Sequence, residues 1–310
     1  MKKFAFVIVL FIILSFLSFK NYALKNSIIG FNQNWAFLPK LDNNLLLNIK
    51  SLKPEMIRYP GGTLTHKWNW KTGKKKGLNN SNTHPIEDIK KLVDATNVEM
   101  IYVLDIVHST IDDQLLMLNS IKELGLAIKY IELGNELYSK DENYVQKFPS
   151  GKEYAEKAKK WTLQLKEKYP NAKISAVLQC RNSKSKNRRF NEWNLKVING
   201  TEDVIDAYTY HVYIAKNGTF KSRKLEFNKI INTAGTGSKE LWITEYGNQN
   251  HSSQINYYSA LDSLANFIEN HPKVTISLNH NIVGNAKNKI TSDGNSFTTE
   301  GQLFLSRLKK

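Results

Sequence analysis

The sequence predicts a single (β/α)8 barrel, also called a TIM barrel. Short apolar runs alternate along the chain with longer amphipathic stretches, which is typical of βαβ units and a parallel sheet. The pattern repeats eight times, and 310 residues suit one barrel of about 250 residues. An open doubly wound sheet is the alternative, but that fold usually carries a nucleotide-binding loop after its first strand, and the sequence has none.

The predicted elements follow one another without a linker, an internal repeat or a low-complexity tract. The predicted strands are residues 27–31, 56–59, 99–106, a fourth within 129–137, then 173–179, 205–213, 240–245 and 274–278. The predicted helices are residues 86–96, 110–124, 150–169, 192–198, 224–232, 255–269 and 299–308. Gly125 and Pro170 mark two helix ends, as expected of residues that stop a helix.

The N-terminus has the layout of a secretory signal peptide over residues 1–23. Met1-Lys2-Lys3 is a basic start, residues 4–19 form an apolar run that includes serines, and Lys20 ends it. We expect cleavage after Ala23, which leaves residues 24–310 as the barrel domain of a secreted, periplasmic or cell-surface protein without a stable membrane span. An uncleaved N-terminal anchor is the alternative, although the run is slightly short for a span.

The composition is strongly basic, with a formal net charge of +16. Such a charge favours polyanionic partners, acidic polysaccharides among them, although lysines spread over solvated helix faces give the same total. The densest basic runs, Lys74–Lys76 and 184–189, lie in predicted loops that could border a cleft. They lack the interleaved aromatic residues of a nucleic-acid platform, so we expect no nucleic-acid partner.

Cysteine and histidine usage points away from disulfides and cofactors. Cys180 is the single cysteine, so no intrachain disulfide can form, and its place near an apolar run indicates a partly buried, inert thiol. No His/Cys cluster has metal-ligand spacing, and no glycine-rich phosphate loop is present. The sequence thus predicts neither a metal nor a cofactor.

Two predicted strands end in a glutamate. Residues 130–133 run through Gly134 into Asn135-Glu136, and residues 241–244 run into Glu245. The carboxyl ends of barrel strands gather at one face, where such barrels place their active sites. Two carboxyl groups about 5–5.5 Å apart, one protonated and one ionised, are what retaining glycoside hydrolysis requires. The sequence therefore predicts Glu136 and Glu245 as a catalytic pair.

The surroundings of these glutamates resemble the large superfamily (clan A) of retaining (β/α)8 glycoside hydrolases. The resemblance implies that Glu136 is the general acid/base, that Glu245 is the nucleophile and that Asn135 hydrogen-bonds the sugar 2-hydroxyl. His211-Val212-Tyr213, at the sixth strand, resembles the His-x-Tyr of the superfamily. There the tyrosine contacts the nucleophile and the histidine lines the subsite.

Residues 58–63, Arg-Tyr-Pro-Gly-Gly-Thr, resemble the Arg-x-x-Gly-Gly turn of α-L-arabinofuranosidases and heparanase-like β-glucuronidases. The resemblance puts the charge of Arg58 beside Glu245, where it would lower the pKa of that carboxyl. Those families normally add a C-terminal β-domain, and we expect no such domain in this sequence. Their eighth strand often offers a tryptophan, where residues 277–281 here are Ser-Leu-Asn-His-Asn.

Three further residues are candidates for substrate binding. Trp68 and Trp70 are two residues apart, so on an extended segment they face one way and could stack on sugar rings. The alternative is that they form hydrophobic cover beneath a loop. His108, at the end of the third strand, is a candidate subsite residue, while Trp242 lies inside a strand and is predicted to be core.

The resulting hypothesis is a secreted retaining O-glycoside hydrolase that uses double displacement and no cofactor. We expect its substrate to be a poly- or oligosaccharide that carries arabinofuranosyl or uronate residues. Two alternatives stay open. One is a catalytically idle barrel that binds glycan in a surface or uptake system. The other is a basic surface protein that binds nucleic acid or lipid.

Overall fold

The computed structural model describes residues 27–77, 82–181, 187–284 and 289–309, so the predicted signal peptide lies outside the described part. Its strands are β1 (Ile28–Asn32), β2 (Met56–Tyr59), β3 (Trp68–Asn69), β4 (Lys74–Lys75), β5 (Glu99–Val103), β6 (Tyr130–Leu133), β7 (Lys173–Val177), β8 (Ala207–Ile214), β9 (Glu240–Asn248) and β10 (Val274–His280). Eight of them close a parallel barrel in the order β1-β10-β9-β8-β7-β6-β5-β2. The predicted (β/α)8 barrel is confirmed, and the open sheet is excluded because β1 pairs with both β2 and β10.

Nine helices surround the barrel in the described part of the chain. They are α1 (Asn43–Ser51), α2 (Glu87–Thr96), α3 (Ile111–Glu123), α4 (Glu142–Lys147), α5 (Gly151–Lys168), α6 (Arg188–Thr201), α7 (Phe220–Ala234), α8 (Gln254–Glu269) and α9 (Thr299–Arg307). The sequence did not predict α1, because its three asparagines have low helix propensity. Burial of its apolar face and the Asp42 cap on Leu45 stabilise it. No helix of the described chain is long and apolar enough to cross a membrane.

A short β-hairpin lies within the connection that follows β2. A 3₁₀ helix (Gly62–Lys67) leads into β3, which pairs antiparallel with β4. Trp68 lies opposite Lys75 in this pairing, and Asn69 lies opposite Lys74. Because the hairpin follows the carboxyl end of a barrel strand, it borders the face where the two glutamates lie. The sequence had placed Lys74–Lys76 in a loop, because two-residue strands leave no periodic pattern.

An apolar plug fills the barrel below its mouth. Buried side chains from different barrel strands form a core cluster of their own: Met56, Ile101, Ala207, Trp242, Ile276 and Leu278. Trp242 is fully buried there, as predicted. Since alternate residues of a strand face the same side, the residues two positions further along also face inward. Two positions after Met56, Trp242 and Tyr130, which packs against the plug, come Arg58, Thr244 and Glu132. A polar layer therefore lies directly above the plug.

Glu300, in the first turn of α9, gives the fold a testable pH dependence. Its carboxyl is buried and accepts a 2.8 Å hydrogen bond from the Tyr257 hydroxyl. Burial raises its pKa to about 7. The folded state therefore holds this proton more tightly than the unfolded state, and the contribution to stability is lost as pH rises from about 4.5 to about 7.

We expect Glu300→Gln to remove this loss. Between pH 5 and pH 8, the free energy of unfolding of the wild type should fall by up to about 3 kcal/mol more than that of the variant. Urea unfolding of both proteins at the two pH values measures the difference. Parallel pH dependences for wild type and variant would contradict the assignment.

Candidate active site

A β-bulge in β9 turns Glu245 into the mouth of the barrel. Tyr210 pairs with Ile243 and the next residue, His211, pairs with Glu245, so Thr244 is the extra residue. A bulge lets consecutive side chains depart from strict alternation. Thr244 accordingly lies 3.3 Å from Glu132, while Glu245 reaches Arg58. Without the bulge, Thr244 and Glu245 would face opposite sides of the strand.

Glu136 sits on a strained turn after β6. Its φ is +46°, in the left-handed region that non-glycine residues rarely adopt, and Gly134 precedes it with a φ of +92°. Such strain costs about 1–3 kcal/mol, and strained residues cluster at active sites. Arg189 supports the turn by donating to the carbonyls of Leu137, Tyr138 and Ser139. The turn directs the Glu136 carboxyl at His211, whose Nδ1 lies 2.9 Å from Oε1.

The two glutamates meet beside this histidine. One oxygen of Glu136, one of Glu245 and one ring nitrogen of His211 all lie within 4.8 Å of one another. The Glu245 side chain is 8% exposed and that of Glu136 is 32% exposed, so Glu136 is the more open to a ligand. Within the described chain, these three side chains are close enough to hold a metal ion. The same arrangement also lets the histidine share a proton with a carboxylate.

Arg58 binds four side chains at once from inside the barrel. Its Nε and Nη2 donate to both oxygens of Glu132, at 2.9 and 2.8 Å. Nη1 donates to Glu245 at 2.7 Å and to Asn32 at 3.1 Å, and Nη2 also reaches Asn135 at 2.9 Å. Arg58 and Glu132 are fully buried. One guanidinium therefore fixes both the predicted nucleophile and the predicted sugar-binding asparagine.

The electrostatics keep Glu245 ionised. Burial would raise the pKa of its carboxyl, but the positive charges of His211 and Arg58 lower it. A 2.8 Å hydrogen bond from the Tyr213 hydroxyl to Oε2 acts in the same direction. Together they bring the pKa of Glu245 to about 2.

His211 and Glu136 behave as a coupled pair. Burial alone would lower the pKa of His211, but the charge of Glu245 and the hydrogen bond to Glu136 raise it. Burial would raise the pKa of Glu136, and the hydrogen bond and charge of His211 hold it below its ordinary value instead. Both shifts favour a proton on His211, in the hydrogen bond that joins it to Glu136.

Sequence reasoning missed two residues that support Asn135. One is Glu132, which holds Arg58 in place. The sequence indicated it only as a carboxylate inside an otherwise apolar strand. His66 joins Asp105, at 3.1 Å from Nδ1, to the backbone of Asn135, whose N–H donates to Nε2 at 3.2 Å. No spacing in the sequence links residue 66 to residues 105 and 135, so folding alone reveals this contact.

A cavity of about 300 Å³ opens beside Glu245, and His280 lines it. The Nδ1 of His280 lies 2.6 Å from the Nδ2 of Asn32, and its ring meets the edge of Tyr213. The sequence had indicated only that polar residues replace a tryptophan at the eighth strand. Arg58, Asn135, His211 and Tyr213 are all brought together with the two glutamates.

The structure places Trp68, Trp70 and His108 elsewhere. They line a second cavity of about 300 Å³. No described side chain that hydrogen-bonds Glu136 or Glu245 lines that cavity. The Trp68 indole is 7% exposed and donates to Tyr59, and Lys71 lies over the ring of Trp70. Both indoles are thus engaged by the protein itself, and sugar stacking on them stays a prediction. Cys180 is more deeply buried than predicted, and burial raises the pKa of its thiol to about 12.

Paired carboxylates at the mouth of a closed (β/α)8 barrel are the side chains that glycoside hydrolysis requires. The chain belongs to the glycosyl hydrolase catalytic core family, which it matches over residues 142–304. The matched segment contains His211, Tyr213 and Glu245 and begins after Glu136. A search of curated proteins gave no significant match.

Solved structures share the fold at low sequence identity. An α-L-arabinofuranosidase from Thermotoga maritima aligns with a TM-score of 0.72 and 18% identity, over 91% of this chain and 70% of that one. A 4-O-α-L-rhamnosyl-β-D-glucuronidase from Fusarium oxysporum gives 0.63 and 14%, over 91% and 69%. A curdlan-specific exo-β-1,3-glucanase from Blastomyces gilchristii gives 0.58 and 13%, over 91% and 100%. The predicted resemblance to (β/α)8 glycoside hydrolases is confirmed, in family by the catalytic-core match and in fold by these structures.

Replacing Glu132 with glutamine tests the role of the Arg58 network. We expect Glu132→Gln to lower the kcat for glycoside hydrolysis by about tenfold or more, because small displacements of reacting groups are costly in rate. KM should change less, since Glu132 does not line the cavity beside Glu245. Steady-state kinetics well below the Tm of the variant measures both constants.

Glu269→Gln is the matched control. Glu269 is also buried at the end of α8, where it pairs with Arg307 and accepts a hydrogen bond from the Tyr246 hydroxyl. Loss of either buried pair should lower Tm, but only Glu132→Gln should lower kcat. If both variants lose kcat in proportion to Tm, Glu132 has only a structural role.

Proposed function

We propose that the protein is a retaining O-glycoside hydrolase that works by double displacement. The observation that carries the proposal is the separation of the two carboxylates, whose nearest oxygens lie within 4.8 Å. Inverting enzymes hold their carboxyl groups about 6.5–9.5 Å apart to admit a water molecule between them. The close pair supports direct attack by one carboxylate instead.

Glu245 is the nucleophile in this proposal. Arg58 donates to its Oε1 and Tyr213 donates to its Oε2, so both oxygens are oriented and the carboxylate stays ionised. One oxygen attacks the anomeric carbon, and the bond from that carbon to the leaving oxygen breaks. The product of this step is a glycosyl ester of Glu245 and a free alcohol.

Glu136 is the general acid and then the general base. When a sugar covers the mouth, it displaces water from Glu136, and loss of solvent raises the pKa of a carboxyl. The proton then moves from His211 Nδ1 to Glu136 and on to the leaving oxygen. In the second step Glu136 takes a proton from water, the hydroxide attacks the anomeric carbon, and Glu245 is released as a carboxylate.

The substrate is a poly- or oligosaccharide with arabinofuranosyl or uronate residues. The similarity to an α-L-arabinofuranosidase and a rhamnosyl-glucuronidase supports this class, as does a net charge of +16 that attracts acidic glycans. Action outside the cytoplasm, as a secreted, periplasmic or surface protein, is part of the proposal. It rests on the basic and apolar N-terminal residues 1–23.

Removing each glutamate in turn tests the assignment on a panel of nitrophenyl glycosides. We expect Glu245→Ala to abolish turnover. Glu136→Ala should lose about 10²–10⁴-fold in rate and regain it with azide, which needs no general base. The azide product should be a glycosyl azide, identified by mass spectrometry, and NMR of the first product should show retained anomeric configuration.

Two outcomes would contradict the proposal. An inverted first product would exclude double displacement. A wild type that hydrolyses no glycoside, and whose Glu245 is not labelled by any 2-fluoroglycoside, would favour the idle glycan-binding barrel.

The shared proton predicts a pH effect at His211. The pH dependence of kcat/KM reports the free enzyme, so its basic limb should follow the raised pKa of His211. In His211→Gln the proton can reside only on the carboxylates, which lose it at lower pH. We expect the basic limb to move to lower pH, while His108→Gln, at the other cavity, leaves it in place. An unmoved limb in His211→Gln would show that the proton is held elsewhere.

A further inference from the structure

Two lysines line the cavity beside the nucleophile. The cavity is lined by Glu245 and His280 from the barrel, by Lys67 and Lys75 from the hairpin region, and by Asn34, Phe37 and residues 62–64. Lys67 is exposed and Lys75 is half-buried. The backbone N–H of Lys76 donates to the carbonyl of Lys67 at 2.7 Å, so the two lysine-bearing segments are held side by side.

The charge of this cavity is unbalanced. Within the described ranges, neither Lys67 nor Lys75 forms an ion pair with a carboxylate, whereas the neighbouring Lys71 pairs with Asp113. Glu245 is the acidic residue in the lining, and the buried Arg58 already compensates its charge. The cavity lining therefore carries two lysines that no carboxylate of this part of the chain neutralises.

The position of the cavity assigns it to one side of the scissile bond. Its lining includes Glu245 and excludes Glu136. On the proposed function, Glu245 attacks the anomeric carbon of the glycone, and Glu136 protonates the oxygen that leaves. A cavity reached by the nucleophile alone therefore holds the glycone ring or the residues beyond it.

We propose that Lys67 and Lys75 bind an anionic group, a carboxylate or a sulfate, on the glycone side of the scissile bond. The inference rests on the proposed function for its orientation, and it narrows the substrate to glycans that carry this charge. Ammonium groups bind such anions as mobile point charges through charge-assisted hydrogen bonds. They suit a group that lies at a variable distance from the anomeric carbon.

Binding to matched polysaccharides tests the proposal. The ligands are polygalacturonate, alginate and hyaluronan, which carry carboxylates alone, their carboxyl-reduced forms, and chondroitin sulfate for the sulfate arm. The proteins are wild type, Lys67→Gln/Lys75→Gln and the control Lys40→Gln/Lys74→Gln. The control removes the same charge at two exposed lysines that line neither this cavity nor the one with Trp68 and Trp70. Affinity electrophoresis at an ionic strength of about 0.15 M gives each Kd.

We expect at least one anionic polymer to bind more tightly than its neutral form. The Lys67→Gln/Lys75→Gln variant should raise that Kd by about tenfold or more, and the control pair should change it much less. Loss of affinity only for chondroitin sulfate would identify the group as a sulfate. Loss of affinity for a carboxylate polymer would identify it as a uronate.

The proposal is overturned if both variants weaken binding equally, because net charge alone then explains it. It is also overturned if no polymer distinguishes wild type from Lys67→Gln/Lys75→Gln. Failure of the proposed function has a different signature, the absence of any turnover that depends on Glu245. The binding assay needs no turnover, so the two failures are separable.

Discussion

Arg58 brings a permanent charge into a closed barrel where water cannot solvate it. A buried ion is tolerated only if its partners satisfy every donor, and here Glu132 and Glu245 supply charge while Asn32 and Asn135 supply amide oxygens. The buried charge thereby fixes the positions of its partners, because each partner is held by a hydrogen bond that it cannot replace with one to water. Removing one partner would leave the others competing for an under-compensated cation.

This network separates the electrostatic environments of two chemically identical side chains. Glu245 lies on the side of Arg58 and Tyr213, where charge and hydrogen bonds favour its ionised form. Glu136 lies at the rim, bonded to an imidazole that can hold or release a proton. Position in one electrostatic field, rather than residue type, is what distinguishes a nucleophile from an acid in such a pair.

Much of the architecture follows from the sequence, because eight apolar runs and their amphipathic partners are signals that extend over many residues. The position of Glu136 just after its strand was likewise predictable, and so was the place of Arg58 in the site. Glu245 was predicted at a strand end, but β9 continues past it to Asn248. The hairpin and the helix over residues 43–51 were not, since the first is too short for periodicity and the second has poor helix propensity. The contacts of His66 and Glu132 depend on residues distant in sequence, which no local pattern encodes.

The extra residue at Thr244 has a consequence for how distant relatives are compared. Along a strand, adding one residue inverts the facing of every side chain beyond it. A chain that carried this residue without the bulge would present its carboxylate to the surrounding helices, whereas the bulge absorbs the extra residue and leaves Glu245 opposite His211. Two barrels should therefore be compared at this strand by the direction in which each side chain faces. A sequence alignment without a gap there can pair residues that occupy different positions in space.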